Sequence, residues 1–192
     1  MPELEIEIEI SKSVDLLRKG KVLLYPTDTV WGIGCDATNN KAVQKVYQIK
    51  ERSKNKSMIL LLDDIDKLKQ YMEKVPGVAY DLIQNALSPL TIVYSRAKNL
   101  PKRLIADDGS IAIRIVKGDY CSEVIKQLGK PLVSTSANLS GQPTPSTFEQ
   151  IEDSLKQMVD YVVAVHRTQI RSVKPSTLIK LEENGTFKIL RA

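Results

Sequence analysis

The sequence predicts an α/β or α+β domain, a mixed β-sheet with helices packed on it. Three observations carry this. Apolar runs of strand length recur through the chain, amphipathic segments of helical period separate them, and Asn184-Gly185 joins two late apolar runs in the manner of a tight hairpin. No Gly-x-Gly-x-x-Gly follows a strand and no Gly-x-x-x-x-Gly-Lys-Ser/Thr loop is present, so neither of the two commonest phosphate cradles is encoded.

Element by element, Glu3 to Ile10 alternates acidic and apolar residues strictly, which predicts a strand with a wet and a dry face. Ser11 then caps a short helix through Arg18, and Gly20 closes it in a left-handed conformation. Residues 22–25 read as a buried strand, and the polar, glycine-containing stretch from Pro26 to Ala37 reads as the loop after it. Ala42, Val43, Val46, Tyr47 and Ile49 form the apolar stripe of a helix over 41–50. Residues 58–62 form a buried strand that ends at Asp63 and Asp64. Helices are expected at 64–73 and 77–87, then strands at 91–94 and 111–115 around a loop containing Pro101 and Asp107-Asp108. A helix at 119–128 leads into a strand at 131–134, and a helix at 148–158 precedes strands at 161–165, 176–181 and 186–190. With 192 residues, 42% of them hydrophobic, and no internal repeat, low-complexity tract or linker, one domain spanning 1–192 is expected.

Composition narrows the chemistry. Twenty-eight basic against 23 acidic residues give a net charge of +5, which favours anionic partners, and a nucleotide fits as well as a nucleic acid. Two cysteines and one histidine are too few for the usual zinc ligand set. His166 reads as an ordinary strand-end residue; Cys35, inside the first polar loop with no histidine near it in sequence, reads either as a nucleophile or as a small buried thiol. No apolar run approaches the roughly 20 residues that cross a bilayer, and no secretory leader pattern opens the chain, so a cytoplasmic protein without a membrane partner is expected.

Candidate site residues gather where apolar runs end. Pro131 to Gly141 passes from Leu132-Val133 into Ser134, Thr135, Ser136, Asn138 and Ser140, a density of hydroxyls and amide that can hold phosphate, ribose or an amino acid. Pro26 to Ala37 repeats the pattern after the strand at 22–25, and Val173 to Ile179 places Ser176-Thr177 ahead of an apolar run. Each alone is an ordinary turn composition; three together suggest walls of one crevice. Arg114 stands inside the apolar run Ile111 to Val116, where a guanidinium is costly unless it meets an anion. Lys50, Arg52, Lys54 and Lys56 leave the end of the helix at 41–50 as a basic cluster, which by itself reads equally as a solvated cap.

These residues also form a recognisable set: YPTDTVWGIGCDA at 25–37, Lys50-Glu51-Arg52, the IAIR ending at Arg114, PLVSTSANLSG at 131–141, the PST at 175–177 and the ILR ending at Arg191. From about residue 11 onward the chain resembles the single-domain form of the YrdC-like family of threonylcarbamoyl-AMP synthases. The resemblance implies a twisted mixed β-sheet with flanking helices around a concave groove, the YrdC/RibB-like fold. It implies a reaction of L-threonine, bicarbonate and ATP that yields threonylcarbamoyl-AMP and pyrophosphate, with Mg²⁺ on the triphosphate. The product would pass to downstream threonylcarbamoyl transferase proteins that modify tRNA. Carried over position by position, Thr29, Arg114, Ser134 and Ser176 match threonine contacts. Arg52, Ser110, Ser136, Thr144 and Arg191 match nucleotide contacts, Asn138 and Lys56 fall in the same nucleotide segments, and Lys50 with Arg52 matches the catalytic Lys-x-Arg element. The chain departs from the family pattern at Lys56-Ser57-Met58, where an amide gives way to Lys56, at Ser88-Pro89-Leu90-Thr91, which lacks a glycine, and at Trp31, where tyrosine is common.

The implied chemistry agrees with the composition. A carbamate is already an oxygen nucleophile, so attack on the α-phosphate needs no serine, cysteine or histidine; it needs alignment and positive charge. A rival reading, a YrdC-like paralogue that binds double-stranded RNA or nucleotide without synthase activity, would use the same basic groove for phosphate contacts.

Overall fold

The computed structural model describes residues 3–51, 58–118, 120–169 and 175–192. In chain order the elements are α1 (Glu3–Arg18), β1 (Leu23–Tyr25), β2 (Gly32–Asp36), α2 (Asn40–Ile49), β3 (Ile59–Leu62), α3 (Leu68–Tyr71, entered through a 3-10 turn at Ile65–Lys67), α4 (Val78–Gln84), β4 (Leu90–Tyr94), β5 (Ile111–Ile115), α5 (Tyr120–Leu128), β6 (Leu132–Ser136), α6 (Asp153–Met158), β7 (Tyr161–Val162), β8 (Thr177–Leu181) and β9 (Phe187–Arg191). All nine strands join one mixed sheet in the order β7-β1-β2-β6-β3-β5-β4-β8-β9.

The predicted strand at 3–10 is corrected: those residues form the first half of α1, and Ser11 lies inside the helix rather than at its cap. The alternation is genuine, but Ile6, Ile10, Val14 and Leu17 also recur at helical spacing, and glutamate, leucine and isoleucine all tolerate a helix. The longer pattern wins because Ile10, Val14 and Leu17 bury against α5, leaving Leu4 and Ile8 exposed. Buried Glu9 is satisfied across the chain: its Oε1 accepts from Tyr161 Oη and from the Ala164 amide, each at 2.7 Å. Gly20 does end the helix with φ at +72°.

The second correction is β2. Pro26 to Ala37 is a loop only through Trp31; Gly32–Asp36 is a central strand paired antiparallel with β1 and β6. Two glycines make it look like a turn, but both lie on one face of the strand and are there because neighbours come too close for a side chain. A Cβ on Gly34 would stand 1.8 Å from the Val133 carbonyl oxygen and 2.7 Å from the Tyr25 hydroxyl. Helical predictions at 64–73, 77–87 and 148–158 are realised only in part, at 65–71, 78–84 and 153–158, and the strand at 161–165 stops at Val162. Prolines at 76 and 89 and the turn-rich 143–150 segment supply the stops.

The two sheet faces are covered unequally. On one, Leu24, Ile33, Cys35, Leu60, Leu62, Ile92, Tyr94, Ile113 and Val133 pack against α2, α3, α4 and α6 in a continuous core. On the other, Leu23, Tyr25, Leu61 and Leu132 pack under α1 and α5. The Tyr120 hydroxyl ties those two helices by a 2.5 Å hydrogen bond with Ser13 Oγ. No described helix covers the rest of that second face, and there the strands carry Gly32, Ser134, Ser136, Ala112, Arg114 and Thr91. Small and polar side chains on a sheet face between helices leave a hollow. Among the described residues, no helix is long and apolar enough to cross a membrane.

Gly34→Ala forces its methyl into the β6 backbone. It should lower the free energy of unfolding by about 3 kcal/mol or more, read as a leftward shift of the urea midpoint; an unchanged midpoint would contradict the close approach.

Candidate functional site

The hollow on the uncovered face is a cavity of about 470 Å³. Thr27, Thr29, Val30 and Gly32 line it from the β1–β2 segment, and Ser134, Thr135, Ser136 and Thr144 from β6 and the loop beyond. Ala112 and Arg114 come from β5, and Pro175, Ser176, Leu178 and Arg191 from β8 and β9. Three segments far apart in sequence therefore converge, as the polar ends of apolar runs suggest. Gly32 widens the floor, since a Cβ there would stand 3.0 Å from Ser134 Oγ and 3.3 Å from Thr27 Cγ2.

Local hydrogen bonds fix each wall. Thr27 Oγ1 donates to the Val30 carbonyl at 2.6 Å and accepts from the amides of Thr29 and Val30, which tightens the turn that presents Thr29. Ser176 is held twice. Its Oγ lies 2.7 Å from Thr91 Oγ1, and its carbonyl accepts from Arg191 Nε and Nη2 at 3.2 and 2.9 Å. Tyr25, wholly buried beneath Gly34, hydrogen-bonds with Ser134 and donates to the Val133 carbonyl. Burial first, then the neighbouring Cys121, pushes its phenol well above the ordinary range, so it stays a neutral support.

Arg114 dominates the electrostatics. Only 5% exposed, it donates from Nη1 to Thr29 Oγ1 at 3.3 Å and sets Nη2 2.9 Å from Asp28 Oδ1. That pair is close by distance yet not aligned as a hydrogen bond: Asp28 Oδ1 and Arg114 Nε are both buried without a hydrogen-bond partner. Arg114 lines the cavity, so its guanidinium borders the space where a ligand's anion could sit. The charged side chains among the described lining are two arginines.

Of the sequence-predicted residues, Thr29, Arg114, Ser134, Ser136, Thr144, Ser176 and Arg191 all line the cavity. Ser110 lies on the same β5 face as Ala112 and Arg114 but outside the lining; its amide and hydroxyl bond the Asp108 carboxylate and hold that carboxyl below its usual range. Lys50 and Asn138 act one layer behind. Lys50, 2% exposed at the end of α2, donates from Nζ to the Ser136 carbonyl at 2.7 Å, to the Asn138 carbonyl, and to Asn138 Oδ1 at 3.2 Å. Asn138 in turn accepts from Ser136 Oγ and donates to the Gln142 carbonyl, both at 2.5 Å. Arg52 and Lys56 lie outside the described residues. Cys35 is buried, and burial pushes its thiol up, which suits packing. His166 sits in the turn after Val165 with φ at +62°. The sequence reading passes over Thr27, Asp28 and Gly32; their common signal is membership of the polar 26–37 stretch from which Thr29 is taken.

Comparison with known proteins places the chain in a family. The Sua5/YciO/YrdC family profile, described as telomere recombination, matches residues 15–192. The chain is similar to a threonylcarbamoyl-AMP synthase of Pseudoalteromonas translucida, 36% identical over 157 residues that cover 80% of this chain and 84% of that one. It is similar to a putative threonylcarbamoyl-AMP synthase of Methanocaldococcus jannaschii, 35% identical over 189 residues covering 95% and 87%. In fold it is similar to P. abyssi Sua5 complexed with L-threonine, with a TM-score of 0.81 at 24% identity over 90% of this chain; it spans half the length of that structure.

The 136–138 turn depends on the Lys50 ammonium. Lys50→Met removes the ammonium shared by the Ser136 carbonyl, the Asn138 carbonyl and Asn138 Oδ1 and should cost about 2 kcal/mol of stability, measured by chemical denaturation; a loss below about 0.5 kcal/mol would show that the turn holds itself.

Proposed function

From the chain's membership of the Sua5/YciO/YrdC family, we propose that it is a threonylcarbamoyl-AMP synthase, a nucleotidyltransferase that joins L-threonine, bicarbonate and ATP. The observation that carries this is the convergence of Thr29, Arg114, Ser134, Ser136, Thr144, Ser176 and Arg191 on one cavity. Its volume suits a nucleotide beside a small amino acid.

In this reading threonine lies at the Arg114 end. Its carboxylate meets the Arg114 guanidinium, and Thr29, Ser134 and Ser176 offer hydroxyls to its polar groups. The adenylate lies along Ser136, Thr144 and Arg191, with Ser110 at the near edge; the family resemblance adds Arg52 and Lys56, which lie outside the described residues. Lys50 and Asn138 position the Ser136 backbone rather than the reacting atoms, on the geometry given above. Threonine and bicarbonate condense to a carbamate with loss of water; a carbamate oxygen attacks the α-phosphorus and pyrophosphate leaves. No protein nucleophile takes part, so the chain's contribution is alignment and positive charge. Mg²⁺ would enter on the triphosphate: among the described residues no cluster of carboxylate, histidine or cysteine side chains forms a protein-made metal site, and phosphate oxygens and water suit that ion. The product would be consumed by transferase proteins acting on tRNA.

Pyrophosphate release from ATP tests the reading: it should require both threonine and bicarbonate, and ATP binding without such dependence would favour the paralogue that has lost the activity. Arg114→Ala should raise the dissociation constant for threonine at least tenfold, about 1.4 kcal/mol, by calorimetry; unchanged affinity would remove Arg114 from the threonine site.

A further inference from the structure

Among the described residues that line the cavity, none is a carboxylate. Yet a carboxylate touches its central cation. Asp28 lies between Thr27 and Thr29, which both line the cavity, and its Oδ1 stands 2.9 Å from Arg114 Nη2. Oδ1 is buried and accepts no hydrogen bond, while 23% of the side chain stays exposed. An ion pair built only to stabilise the fold would be expected to align its hydrogen bonds, because a buried charge is costly until its lone pairs and protons are satisfied. Here the guanidinium and the carboxylate each keep a buried polar atom without a hydrogen-bond partner, while part of the carboxylate side chain reaches solvent.

The pair has the form of a receptor for a zwitterion. The ammonium and carboxylate of an α-amino acid hang from one carbon, so a cation and an anion in contact on the protein are spaced to meet both. Nothing else in the described lining offers a negative charge to an ammonium. We propose that Asp28 binds the α-ammonium of the amino-acid substrate while Arg114 binds its carboxylate, so that Asp28 is a specificity-determining residue that selects a free amine. This rests on the synthase reading and adds to it an amine-recognition contact. It also gives the site an order: Asp28 attracts the unreacted amino acid and repels it once carbamoylation has made that nitrogen part of an anion.

The test compares L-threonine with its deaminated counterpart, (R)-3-hydroxybutanoate, by calorimetry on the wild-type chain and on Asp28→Asn. Wild type should prefer threonine by at least about tenfold. Asp28→Asn should weaken threonine binding, leave the deaminated compound within about twofold of wild type, and erase the preference. Equal weakening of both ligands would mean that Asp28 acts only by holding Arg114, and would overturn the proposal, as would an unchanged preference. The wild-type comparison stands even if Asp28→Asn does not fold: equal affinity for the two compounds refutes amine recognition directly. Absence of any threonine binding by wild type would sink the synthase reading and this inference with it, whereas threonine binding without amine preference sinks this inference alone.

Discussion

A guanidinium taken almost wholly out of water is the constraint to which the rest of the molecule answers. Isolating such a charge from solvent costs several kcal/mol even after relaxation, so Arg114 can occupy the middle of β5 only if an anion and hydroxyls reach it. The 27–29 turn delivers both, and that turn is held by Thr27 and by the entry into β2. β2 in turn fits between β1 and β6 only because positions 32 and 34 have no side chains. One cation thus draws in the threonine hub at 27–29, on a part of the sheet that no described helix covers.

That arrangement also explains why the cavity has two kinds of wall. Near Arg114 the groups are short and buried: Thr29, Ser134 and Ser176 are each less than 8% exposed. At the other end Thr144 and Arg191 belong to a loop and to the exposed last strand. The first end is thus enclosed and lined by short hydroxyls, and the second opens toward solvent.

Much of this was legible in the residues, and the failures share a cause. The strands at 23–25, 59–62, 90–94, 111–115, 132–136, 177–181 and 187–191 are all anticipated within a residue or two, because apolar runs bounded by turn formers leave little choice. The hairpin at Asn184-Gly185 pairs β8 with β9 as its sequence requires. Residues 3–10 mislead because an eight-residue window fits two periods at once, and only burial against α5 decides between them. Gly32 and Gly34 mislead because the reason for a glycine in a strand is its neighbour's position, which local sequence does not contain. Lys50 shows the same limit: its type and place invite a role on phosphate, while its ammonium contacts backbone 86 and 88 residues away.

The outer margin of the sheet carries one more consequence. β9 pairs with β8 alone, with an irregular register between Leu178 and Ile179, and every one of its residues is exposed. Strands of that kind fray before central ones, so amide protons of β9 should exchange with solvent well ahead of those in β3 or β6. Arg191 is the last residue of this strand and yet grips the Ser176 carbonyl across the hairpin. An anion that engages Arg191 would therefore tie down the least protected ribbon of the fold, coupling occupancy of the cavity to the order of its rim.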